Sequence, residues 1–144
     1  MRQLTVFFDG SCGPKNPGGT AGFGYTVYEG ATKLASASGI LGTGPEFSNN
    51  YAEYASLYHS LQAVSTILAG DRAFVMVKGD SQLVINTMLH RWRAKSGLYY
   101  QAYLDATKMV STLQRQGVRF AFSWVPREQN QEADNLSKVH LSEK

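Results

Sequence analysis

The chain has 144 residues, the size of one ordinary domain, and its 43% apolar and 17% charged residues are the balance of a soluble globular protein. Fourteen basic against eleven acidic residues leave a formal charge of +3, too little by itself to name a partner. The lone Cys12 excludes an internal disulfide, no apolar run reaches membrane-span length, and MRQLTVFFDG lacks a signal-peptide cleavage pattern. A single cytoplasmic domain over residues 1–144, away from membranes, is the expectation.

Thr5 to Asp9 reads as a first strand, with Phe7 and Asp9 on one face because strand side chains alternate. The loop GSCGPKNPGGT follows at once. Asp-Gly starts turns readily, which is one reading of Asp9. A carboxylate ending an apolar strand is costly to bury, and that asks for another. Ala21 to Glu29 and Lys33 to Leu41 read as strands two and three, joined near Gly30 as an antiparallel meander.

After the loop GTGPEFSNN, the stretch YAEYASLYHSLQAVSTILAG predicts a helix. Leu57, Leu61, Val64 and Leu68 recur at helical spacing, and Gly70 stops it. Arg72 to Lys78 predicts a fourth strand, Ser81 to Trp92 a helix, Leu98 to Gln116 another, Val118 to Val125 the last strand, and Gln131 to Leu141 a terminal helix. The expected fold class is α/β: a five-stranded mixed sheet, three antiparallel strands then two parallel, flanked by helices. The basic cluster HRWRAK around Trp92 reads either as a solvated helix end or as a nucleic-acid surface.

Four acids stand at element junctions, and each has an ordinary explanation. Asp9 and Asp80 end strands, on the rim where doubly wound sheets bind ligands. Glu53 fits a capping box with Asn50 at the N-cap, yet it also lies on the packed stripe of Leu57, Leu61 and Val64. Asp134 suits the first turn of the last helix, with Glu132 beside it facing solvent. Gathered together, the four would repel: two carboxylates about 4 Å apart cost roughly 4 kcal/mol at an effective dielectric near 20. Such a cluster demands cations, and oxygen-only ligands select Mg²⁺, with Mn²⁺ as a substitute. Without metal, neutralising either Asp80 or Asp134 is expected to stabilise the chain. His59, His90 and His140 are too scattered for a zinc site.

FFDGSCGPKNPGG, SNNYAE, KGDSQ and EADNLS, in this order, resemble the motifs of the type 1 ribonuclease H family, nucleases that cut the RNA strand of RNA–DNA hybrids. The resemblance covers nearly the whole chain and implies the ribonuclease H-like fold. It implies that Asp9, Glu53, Asp80 and Asp134 are the catalytic and metal-binding carboxylates for two Mg²⁺ ions. Asp9 would bridge both ions, Asp134 would complete the water-activating site, and Glu53 and Asp80 would hold the ion at the leaving 3′ oxygen. Products would carry 5′-phosphate and 3′-hydroxyl ends. Cys12, Asn16, Asn49, Asn50 and Gln82 would read the RNA strand through its 2′-hydroxyls. Gly10, with Ser11 beside it, would admit the ribose closely. Ser48 would hold a DNA phosphate, and Trp92 would pack on a deoxyribose.

Two departures stand out. The loop PREQNQEA before the last acid lacks the histidine of many relatives; Glu128 and Arg127 are the candidates to replace it, since His140 lies six residues past Asp134. The basic protrusion is reduced to RWRAKSG, so hybrid binding is expected to be weaker or assisted by a partner protein. The partner expected is an RNA–DNA hybrid, met by a monomer. The alternatives are a reverse-transcriptase-type or double-stranded-RNA-cleaving nuclease of the same fold, and a non-catalytic hybrid-binding module.

Overall fold

The computed structural model describes residues 1–90 and 98–139. The elements run β1 (Arg2–Gly13), β2 (Thr20–Glu29), β3 (Thr32–Thr43), α1 (Asn49–Leu68), β4 (Ala73–Gly79), α2 (Gln82–Met88), α3 (Leu98–Arg115), β5 (Val118–Trp124) and α4 (Gln131–Ser137), with a 3-10 turn at Arg127–Gln129. The five strands form one sheet in the order β3-β2-β1-β4-β5. β1, β2 and β3 pair antiparallel, and β4 and β5 join in parallel, as the element order predicts. Among the described residues no helix is long and apolar enough to cross a membrane.

The core lies between the sheet and α1. Leu4, Val6 and Phe8 of β1 and Val75 and Val77 of β4 meet Leu57, Leu61, Val64 and Leu68, all buried. The helical spacing of those four residues is what lets one stripe meet the pleated sheet. Helices cover both faces. An added Cβ on Gly10 would lie 2.2 Å from the Ala52 backbone of α1. One on Gly24, partner of Asp9, would meet Ser137 N of α4 at 2.5 Å. Gly10 and Asp9 are neighbours on alternating faces, so α1 and α4 lie on opposite sides of the sheet.

Three expectations change. First, β1 does not end at Asp9. Its parallel ladder with β4 stops at Phe7↔Lys78, but its antiparallel ladder with β2 continues to Gly13↔Thr20. Asp9 therefore sits within a strand, where the sheet splits, and Gly10–Gly13 are not loop. Second, α1 is capped by Ser48, whose side chain accepts from Tyr51 N at 3.2 Å. Glu53 lies beyond the first turn, so the capping-box reading of Asn50 and Glu53 fails. Third, α2 closes after Met88. Leu89 is its cap, and His90 takes φ +63°, a left-handed conformation that cannot continue a right-handed helix. The rest of HRWRAK, Trp92 included, lies outside the described residues. α4 likewise closes at Ser137, where Lys138 N–H turns back to the Asn135 and Leu136 carbonyls; Leu141 and His140 lie outside the described residues.

The close approach at Gly10 makes a prediction. Gly10→Ala must push α1 away from β1, because the atoms it meets are backbone and cannot swing aside. A loss of about 1–3 kcal/mol in stability is expected, from overpacking alone. Thermal melts check it; an unshifted melting temperature would contradict the packing described.

Candidate active site

Where β1 leaves β4, the backbone loses its ladder partner on one side. The Phe8 carbonyl takes its hydrogen bond instead from Asn130 Nδ2, at 2.9 Å. Asn130 is 1% exposed, and it stands at the start of α4. On the other side of Asp9, the Ser56 hydroxyl of α1 donates to the Asp9 carbonyl and lies 3.1 Å from the Gly24 carbonyl. Asp9 is thus held by a strand, by α1 and by α4 together. Sequence reading missed Asn130 and Ser56. Ser56 had a visible signal, a small polar residue on the buried stripe three positions after Glu53. Asn130 had none.

Glu53 reaches Asp9 because α1 crosses β1 at Gly10. Asp80 reaches it because β4 ends at Gly79 and the chain turns there. Asp9, Glu53 and Asp80 each offer an oxygen, and these all lie within 4.8 Å of one another. Asp134, from α4, hydrogen-bonds with Asp9 and pairs with Lys138 at 3.0 Å. Asp9 is buried and Glu53 nearly so. Glu53 Oε2 finds no hydrogen-bond partner among the described residues.

The electrostatics follow from this crowding. Burial, then the Glu53 charge, pushes the Asp9 carboxyl far above its ordinary range. Burial raises Glu53 to about 8, partly opposed by its hydrogen bond with Asp9. Burial also raises Asp80, against the pull of Asp9 and of Arg127. Asp134 goes the other way. Burial pushes it up, but the hydrogen bond with Asp9 and the Lys138 ammonium hold it below the usual aspartate range.

Among the described residues the cations at this cluster are Lys138 and Arg127, and Arg127 Nε lies 3.9 Å from Asp80 with a largely exposed side chain. Neither satisfies the buried centre. An all-oxygen donor set with an orphaned carboxylate oxygen fits a hard divalent cation. The two residues named for the missing loop histidine, Arg127 and Glu128, both lie in the 3-10 turn, and Arg127 is the one with a recorded contact to the cluster.

The expected substrate residues divide. Asn16, Asn49 and Asn50 are exposed, and Asn16 Oδ1 accepts from Asn49 N at 2.9 Å. The half-buried Cys12 thiol lies 3.1 Å from the Lys15 carbonyl and 3.6 Å from that of Phe47. These residues therefore gather where the first loop meets the start of α1. Gln82 is exposed at the start of α2, two residues past Asp80. Ser11 is not on that surface: it is buried, and its hydroxyl donates to the Ser137 carbonyl at 2.7 Å. The Ser48 hydroxyl caps α1. Glu132 is exposed, as expected, and in addition bonds Tyr28 and Lys33, tying α4 to β2 and β3.

Known proteins resemble this chain in sequence and fold. The family model described as reverse transcriptase-like matches residues 7–140. The Bacillus subtilis protein YpeP is 32% identical over 143 residues, 97% of this chain and 59% of that protein. The bifunctional protein Rv2228c of Mycobacterium tuberculosis is 30% identical over 136 residues, 93% of this chain and 35% of that protein. This chain thus spans less than two thirds of either relative. The solved N-terminal RNase H domain of Rv2228c superposes with a TM-score of 0.84 at 28% identity, covering 99% of this chain and 95% of that one. LC11-RNase H1 from compost, solved with an RNA/DNA hybrid, shares the fold with a TM-score of 0.79 at 24% identity, 92% of each chain being covered. With the sheet order, the helices on both faces and the carboxylates at the split between β1 and β4, these likenesses show that the chain belongs to the reverse transcriptase-like family and has the fold of its type 1 ribonuclease H domains.

Proposed function

We propose that this chain is a metal-dependent endoribonuclease that hydrolyses the RNA strand of RNA–DNA hybrids, leaving 5′-phosphate and 3′-hydroxyl ends. The observation that carries the proposal is the meeting of Asp9, Glu53 and Asp80 within 4.8 Å, largely buried, with Glu53 Oε2 unpartnered. A structural role gives no reason to gather buried like charges. Solved domains with this fold include one that holds an RNA/DNA hybrid.

Asp9, Glu53 and Asp80 would hold the cations, Asp9 being common to both, and Asp134 would complete the set. Two divalent cations, Mg²⁺ for choice, would supply charge neutralisation on the phosphate and on the attacking and leaving oxygens. Asp134 keeps its negative charge through Lys138, so it is the carboxylate fitted to orient the attacking water. Asn16, Asn49 and Asn50 present exposed amides near the start of α1, suited to 2′-hydroxyls. Gly10 keeps α1 close enough for Glu53 to reach the cluster.

The test uses labelled RNA–DNA hybrid, double-stranded RNA and double-stranded DNA, each with Mg²⁺, Mn²⁺ or chelator. Hybrid is expected to be cut with either metal and spared in chelator. A single ribonucleotide within DNA should be a poor substrate, since each lost hydrogen bond costs about 0.5–1.5 kcal/mol. Equal cleavage of double-stranded RNA would favour the broader nuclease. Hybrid binding without cleavage in any metal would favour a binding module and overturn the proposal.

A further inference from the structure

The end of β5 carries one aromatic side chain, Trp124, that neither the core nor the chemistry above uses. Phe120 and Phe122 alternate inward on β5 and pack against the core. Trp124 continues that face by one step yet stays 45% exposed, although tryptophan is highly buried on average. Its ring is not free to swing. The indole N–H donates to the Asp80 carbonyl at 3.1 Å. Trp124 is also the register partner of Gly79, and Val125 N–H bonds the Gly79 carbonyl at 2.9 Å. An exposed aromatic is thus fixed beside Asp80, whose carboxylate lies within 4.8 Å of those of Asp9 and Glu53.

We propose that Trp124 is a substrate-contacting residue, its ring packing against the sugar of the RNA nucleotide that flanks the bound phosphate on the Asp80 side. The inference rests on the nuclease reading above. A phosphodiester gripped at the carboxylates must lay its neighbouring nucleotide along this rim. The sugar is the unit met, because a hybrid keeps its bases paired and stacked while its shallow groove displays ribose. A ring already fixed by a hydrogen bond loses little freedom on contact. Such a platform adds affinity without base preference, as aromatic surfaces for nucleic acids generally do.

Two variants separate contact from scaffolding. Trp124→Ala is expected to raise KM roughly tenfold with little change in kcat. Trp124→Phe keeps a ring and loses the N–H, and it should restore most of the affinity. If the residue serves only to tie down Asp80, both variants lose that bond, and both should lose kcat instead. A direct readout uses Asp9→Asn with Trp92→Phe, which leaves Trp124 as the sole tryptophan. Hybrid binding is followed by the anisotropy of a dye on the hybrid. The Trp124 emission should change in step with it and saturate with it. Unchanged emission over fully bound hybrid overturns the contact and leaves the nuclease reading standing. Asp9→Asn alone, with Trp92 kept, is titrated alongside: no anisotropy change at any concentration in that variant overturns the nuclease reading and this inference together.

Discussion

Replacing Asp9 by asparagine is expected to abolish hydrolysis, by at least about a thousandfold, while hybrid binding survives. Asp9 is the hub that Glu53, Asp80 and Asp134 all engage. Asparagine keeps the shape and the backbone contacts of Ser56 and Asn130, but it removes the charge two cations would share. The loss cannot be blamed on unfolding, because neutralising a buried acid in a crowd of acids relieves repulsion. Single-turnover cleavage and hybrid anisotropy measure the two arms. Turnover near that of the parent protein would sink the metal-ion assignment, whatever the hybrid affinity.

The second large effect is a stability that depends on both pH and metal. In the metal-free protein Asp9, Glu53 and Asp80 all have raised affinities for protons. The folded state then holds protons that the unfolded chain has released. Stability must fall as pH rises from the ordinary carboxylate range near 4 toward about 8, where Glu53 ionises. Each extra proton held costs up to about 1.4 kcal/mol per pH unit across that window. Mg²⁺ binds the ionised carboxylates, so its stabilisation should grow over the same window, reaching about 2.7 kcal/mol at a hundredfold excess over Kd. Glu53→Gln should flatten the pH dependence and blunt the response to Mg²⁺. Melts at several pH values, with Mg²⁺ and with chelator, test this. Stability that rises steadily from pH 5 to 8 in chelator would mean the cluster is not the buried, metal-seeking group described.

The same melts separate Asp80 from Asp134, which look equivalent in the sequence. Asp80→Asn should stabilise the metal-free protein, since it removes a partly buried charge whose cation partner is the distant, exposed Arg127. Asp134→Asn should not, contrary to the expectation from clustering alone. Asp134 sits below its ordinary range, so its stabilisation is present above the usual aspartate value and is lost only as pH falls through the lower folded one. Lys138, one turn along α4, makes the difference.

Local pattern determined a good deal. The stripe of Leu57, Leu61, Val64 and Leu68 predicts α1 and its buried face, and the order of strands and helices predicts the mixed sheet. Both are written in spacings of a few residues. The tertiary structure decided what depends on segments distant in sequence. Asp9 lies within a strand because β2 extends the pairing after β4 has left, and a single stretch of chain cannot announce that its two edges end at different places. Ser48 rather than Asn50 caps α1, and only the backbone of the first turn shows which hydroxyl or amide meets an N–H. Asn130 holds the Phe8 carbonyl from 122 residues away, and Trp124 meets Asp80 across a strand pair. The identities of the acids could be read from the chain. Their distances, their proton affinities and the groups that hold them came from the fold, because burial and Coulomb repulsion depend on what folding brings together.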